Sequence, residues 1–130
     1  MNELVREWLV QAEKDLKAIK KTLEDPDLTN IAAFHAQQSI EKVFKAVILN
    51  NNETIPKIHN LIKLFGIIKN QININFDMKT LERINETYID SRYPSELGLL
   101  PEGQPSVETV EEFYKMTFEI FSQIKLELEK

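Results

Sequence analysis

Between Glu3 and Glu24 the apolar residues Val5, Trp8, Leu9, Ala12, Leu16, Ile19 and Leu23 recur at steps of three and four, with no Gly or Pro among them. That period puts them on one side of a helix, so the spacing predicts a long amphipathic helix. Pro26 then breaks the pattern, and Asp27 or Thr29 stands where an N-cap is needed for a second helix running to about Asn50. In that helix Ala33, Ala36, Ile40, Val43 and Val47 form the apolar stripe. His35, Gln38, Lys42 and Lys45 line the other side, at about 100° per residue. Such a set donates and accepts hydrogen bonds, carries charge and changes protonation near neutral pH, which marks a contact face.

After a break over 50–56, Ile58, Leu61, Ile62 and Phe65 predict a shorter third helix over about 57–68, ending near Gly66 or just beyond. The segment 70–76 alternates polar residues with Ile72, Ile74 and Phe76 like a strand. No second strand is legible to pair with it, so an extended connection is expected. A fourth helix over about 77–92 sets Leu81, Ile84 and Tyr88 on one face and stops before Pro94, because the residue preceding a proline avoids helical geometry. Three of the five prolines and two of the three glycines fall within 94–105, a loop long enough to be a functional segment. Ser106 caps a final helix with Glu108 in its first turn and with Val110, Phe113, Tyr114, Ile120, Phe121, Ile124 and Leu128 as its buried stripe. The expected architecture is an all-α bundle of five helices with antiparallel neighbours. At 130 residues it forms one domain over 1–130.

Charge narrows the function classes. The net charge of -5 comes from the second half: residues 1–65 hold nine Lys/Arg and nine Asp/Glu, residues 66–130 seven and twelve. A protein coated in basic surface for duplex nucleic acid is thereby excluded. Lys14, Lys17 and Lys21 align at helical spacing, either as a local phosphate-facing patch or as a solvated helix face. With no cysteine there is no disulfide framework, thiolate nucleophile or thiolate metal site, which fits a reducing compartment. The first residues lack the apolar run of a signal peptide, and no window reaches the roughly 18 apolar residues of a membrane span, so a cytoplasmic location is expected.

Four segments together resemble the HEPN domain family: Trp8 followed by AEKDL, the FHAQQSIEK of 34–42, the Pro56 to His59 step, and Tyr88 followed by SRYP. The resemblance spans essentially the whole chain. It implies a five-helix up-and-down bundle from a bacterium or archaeon that tends to homodimerise. It also implies pairing with a separately encoded minimal nucleotidyltransferase, and nucleotide binding. In other branches of the family it implies RNA cleavage in toxin–antitoxin and defence systems. The ribonuclease branch resembles itself in an Arg followed after four to six residues by His. Here the only histidines are His35 and His59, and none of Arg6, Arg83 and Arg92 has a His at that distance downstream. The family's base and phosphate-facing cation are therefore not delivered in their usual place, and no catalytic residue is assigned.

The candidate contact residues for a nucleotide or partner are His35, Gln38, Lys42, His59, Arg92 and Tyr93, with Asp90 nearby. The amides of Gln37 and Gln38 can be buried between helices when fully paired, which points to a dimer interface using the long helices with His35 and Gln38 on or near it. His59 is read as satisfying a helix start or packing on the second helix. Arg92 either complements the dipole of the fourth helix or, with Tyr93, clamps a phosphate while the ring stacks on a base. Two histidines with neither thiolate nor helical ligand spacing give no metal site, and no cofactor is expected. Glycine is too scarce for a phosphate loop and no serine is flanked by glycines as in a nucleophile elbow. Glu108, Glu111 and Glu112 suit the start of the last helix better than an acid–base pair. The expectation is a binding module, with a metal-independent ribonuclease using His35 or His59 and Arg92 as the alternative.

Overall fold

The structure, a computed structural model, describes residues 1–92 and 104–130, the side chains of 88–92 excepted. It contains five helices, α1 (Glu3–Thr22), α2 (Thr29–Asn50), α3 (Leu61–Ile68), α4 (Met78–Arg92) and α5 (Val107–Leu128), and no strand occurs among the described residues. The all-α, five-helix reading therefore stands. No helix among the described residues is long and apolar enough to cross a membrane.

Helices α1, α3 and α5 each start where a side chain can take an orphan N–H. Asn2 Oδ1 accepts from the Val5 amide at 2.8 Å, Asn60 Oδ1 from Lys63 at 3.0 Å and Ser106 Oγ from Thr109 at 3.1 Å. The second helix departs from expectation, since neither Asp27 nor Thr29 caps it. A 3-10 turn (Pro26–Leu28), capped by Asp25 on the Asp27 amide at 2.9 Å, runs directly into it, and Thr29 is already its first residue and buried. That short connection makes α1 and α2 antiparallel. Beyond the far end of α2, Asn52 has a φ of 60°, in the left-handed region that asparagine tolerates better than most residues.

The third helix begins four residues later than the sequence pattern predicts. Residues 57–60 stay outside it, with the Gln37 amide on the His59 carbonyl at 2.8 Å and Asn60 as the cap of the helix that follows. The Leu61 amide is in turn taken by buried Asn85 Oδ1 of α4 at 2.9 Å. The helix ends at Ile68, just beyond Gly66, as the pattern predicts. Of the alternating segment, residues 70 and 71 belong to a turn in which the Gln71 amide donates to the Ile68 carbonyl at 2.8 Å, and 72–76 form an irregular connection with Ile72, Ile74 and Phe76 packed on the core. It needs no neighbouring strand because the Gln123 carboxamide accepts from Asn75 N and donates to Asn75 O, both at 2.8 Å.

The core is one cluster drawn from all five helices, with Phe44, Phe113, Ile40, Leu81, Ile84 and Ile120 fully buried. Helix α2 is its centre and packs on each of the other four. Only a strip of its surface stays accessible. Ile31 and Phe34 are exposed and His35, Gln38 and Lys42 half-buried.

Candidate functional site

The accessible strip of α2 is organised by an acid on the neighbouring helix. Asp15 of α1 is 7% exposed and uses both carboxylate oxygens: Oδ1 lies 2.9 Å from His35 Nδ1 and Oδ2 accepts from Lys42 Nζ at 2.6 Å. His35 and Lys42 are seven residues apart on α2, hence on the same face. The two helices are tied at this level by Ser39 Oγ, which donates to the Ala12 carbonyl at 2.8 Å, and by Ala12 and Ala36, whose small side chains are fully buried.

This geometry fixes the chemistry of His35. An ionised carboxylate only accepts, so Nδ1 carries the hydrogen and Nε2 of the neutral ring is left as the acceptor. Nε2 has no partner among the described residues. The side chains of His35 and Lys42 remain about a quarter exposed, within reach of a ligand. Phe34, on the exposed side, meets the His35 ring edge-on with centroids 5.6 Å apart. When His35 is protonated, its Nε2–H and the remaining Lys42 N–H groups form a pair of charge-assisted donors beside an aromatic ring.

A second network lies on the adjoining edge of α2, where the 51–60 connection crosses. Glu41, 7% exposed, accepts from Lys45 Nζ at 2.8 Å and from the Gln37 amide at 3.1 Å, and lies 3.1 Å from His59 Nδ1. Burial pushes the Glu41 carboxyl up, but the hydrogen bonds from Lys45, Gln37 and His59 and the Lys45 charge together outweigh it and hold the group below its ordinary 4.5. Gln38 belongs to this second network, since its amide donates to Gln37 Oε1 at 2.7 Å.

Of the six candidate residues, the structure brings His35 and Lys42 onto one carboxylate, links Gln38 to the second network and sets His59 within it. Arg92 and Tyr93, with Asp90 and Tyr88, lie outside the described side chains. One expectation is corrected. Lys45 does not share the accessible strip: it is 6% exposed and paired with Glu41, because this end of α2 is covered where the upper strip is open. Gln37 is buried as anticipated for an interface amide, but its partners are Glu41 and the His59 carbonyl of the same chain.

Sequence reasoning misses Asp15 and Glu41 as site residues. The signal is nonetheless present: Asp15 falls between Ala12 and Ile19 at core spacing, and Gln37 and Glu41 continue the stripe of Phe44 and Ile48. A charged residue at an apolar position requires a partner, and both acids have theirs.

Comparison with known proteins bears on the fold. Residues 5–125 match the family model of the HEPN domain. Among solved structures, TT1696 from Thermus thermophilus is 20% identical with a TM-score of 0.77, covering 97% of this chain and 98% of its own. ST0689, an archaeal HEPN homologue, is 21% identical with a TM-score of 0.70, covering 98% of this chain and 99% of its own. At such identities these likenesses speak for the fold. No curated protein is significantly similar in sequence to the chain.

Proposed function

Because the chain belongs to the HEPN domain family, we propose that it is a single-domain, cytoplasmic binding module, a homodimer that associates with a separately encoded minimal nucleotidyltransferase and contacts a nucleotide or nucleic acid in a toxin–antitoxin or defence setting. The observation that carries this reading is the accessible strip of the central helix. There His35 and Lys42 are held on one buried carboxylate with their side chains about a quarter exposed. A phosphate can take charge-assisted hydrogen bonds from the protonated His35 ring and from Lys42 Nζ. Gln38 lies between them along the helix and adds an amide for base edges. His59, Arg92 and Tyr93 complete the proposed contact set.

Calorimetric titration with ATP, GTP and a short single-stranded RNA tests the reading. Losing one charge-assisted hydrogen bond costs roughly 1.5–3 kcal/mol, so Lys42→Met weakens binding by about tenfold or more. Absence of binding by every one of these ligands to the wild-type protein sinks the ligand half of the reading. Co-purification with a nucleotidyltransferase encoded beside it tests the other half.

The Asp15–His35 contact favours a second reading, a metal-independent ribonuclease with an unorthodox site. A ring whose Nδ1–H is held by a carboxylate offers Nε2 as a general base, and Lys42 is the cation beside it. RNA left intact at concentrations where an established nuclease digests it rejects this reading. Cleavage abolished in a folded His35→Ala variant replaces the binding-only reading with it.

A further inference from the structure

The outer face of α1 is sorted by charge. Glu3, Glu7, Val10, Lys14, Lys17 and Lys21 are all exposed, and at about 100° per residue they fall within an arc of about 80°. Acids occupy one end, bases the other, and a valine that is 40% exposed stands between them.

Helix electrostatics accounts for only part of this order. The macrodipole favours Glu3 in the first turn and Lys21 in the last, but its influence fades within one turn and does not extend to Glu7, Lys14 or Lys17. Within the stripe like charges stand close, Glu3 and Glu7 four apart and Lys14, Lys17 and Lys21 three and four apart, an arrangement that Arg6 beside Glu3 and Glu13 beside Lys17 only partly offset. Among these charges only Lys21 has an ion pair among the described residues, an exposed 3.8 Å contact with Glu24. Glu3, Lys14 and Lys17 have no ion pair among the described residues, and Glu7 receives only a long Gln11 contact at 3.4 Å.

A stripe with this order is complementary to itself when reversed. We infer that α1 docks antiparallel on α1 of a second copy of this chain about a two-fold axis at Val10. Glu3 of each copy then meets Lys17 of the other, and Glu7 meets Lys14. Val10 meets Val10 on the axis, as an isologous contact requires. Arg6 and Glu13, also without ion pairs among the described residues and placed near-symmetrically about the same point, meet as well. Val10 borders an open groove of about 480 Å³ lined by Leu9 and Phe121 together with Arg6, Glu13, Lys125 and Glu129, so the centre of the contact is part apolar and part charged. The inference rests on the homodimeric reading above and moves the contact from α2 to α1, leaving His35 and Gln38 free for ligand.

Sedimentation velocity on charge-reversed chains decides it, with circular dichroism verifying that each remains helical. The wild-type dimer dissociates between roughly 50 and 500 mM salt, as the Debye lengths there imply. E3K/E7K and K14E/K17E each sediment as monomers, their equimolar mixture forms a heterodimer, and the fourfold variant E3K/E7K/K14E/K17E dimerises again. Dimers that persist in both double variants overturn the α1 contact while leaving the homodimer intact, and so does a mixture that fails to pair. A wild-type protein that stays monomeric at low salt across micromolar concentrations overturns the homodimer itself.

Discussion

The Glu41–Lys45 pair gives the most direct measure of how the central helix is held. Glu41 is 7% exposed and Lys45 6%, and their 2.8 Å contact lies against the 51–60 connection. Replacing Glu41 by Leu leaves a buried ammonium with no counter-charge, and replacing Lys45 by Met leaves a buried carboxylate with only Gln37 and His59. Breaking a buried pair from one side costs about 3–5 kcal/mol, which is a large share of the roughly 5–15 kcal/mol typical of a whole domain. Removing both charges together costs little, because apolar groups of similar volume carry no desolvation penalty. Urea unfolding of the two single variants and the double variant therefore yields a coupling of at least about 3 kcal/mol. Additive effects, or single-variant losses under about 1 kcal/mol, show that water reaches the pair and refute the reasoning. The pH dependence has a definite sign. The folded carboxyl lies below 4.5, so its contribution is complete above the unfolded value and is lost as pH falls through the folded one. Wild-type stability therefore declines on acidification below about pH 4.5, and the double variant lacks this component of the decline.

Three further outcomes follow from single contacts. Asp15→Asn removes the anion that fixes the His35 tautomer, so nitrogen-resolved NMR shows the Nδ1–H signature of the wild-type ring giving way to a tautomer mixture, with about 1–3 kcal/mol lost in chemical denaturation. Asn85→Ala leaves the Leu61 amide without its 2.9 Å acceptor in the core, costing about 1–3 kcal/mol and speeding hydrogen exchange across α3. Gly66→Ala is stabilising by roughly 0.5–1 kcal/mol in thermal or urea unfolding, because the glycine is helical and an added Cβ meets nothing within 4 Å.

Much of the fold is legible along the chain because it depends on local period. The stripe of α1, Leu81 and Ile84 of α4, the α5 stripe apart from half-buried Tyr114, and the Ser106 cap appear in the sequence as they do in space, since 3.6-residue periodicity and capping chemistry act within a few residues. The beginnings of α2 and α3 elude such a reading for the opposite reason. Asp25 acts through a 3-10 turn, and the chain ahead of α3 is held at the His59 carbonyl by Gln37, 22 residues away.

The same division runs through the site. Residue order is enough to establish that five amphipathic helices form and that α2 carries His35, Gln38 and Lys42 on one side, because side-chain direction on a helix is fixed by residue number. Which of those groups find partners depends on how the helices pack. Asp15 joins His35 and Lys42 across a helix pair, and Lys45, in line with them on the wheel, is withdrawn into the interior with Glu41. A helical wheel gives the direction of a side chain; the packing of the neighbouring segments determines whether that direction leads to water or to a buried counter-charge.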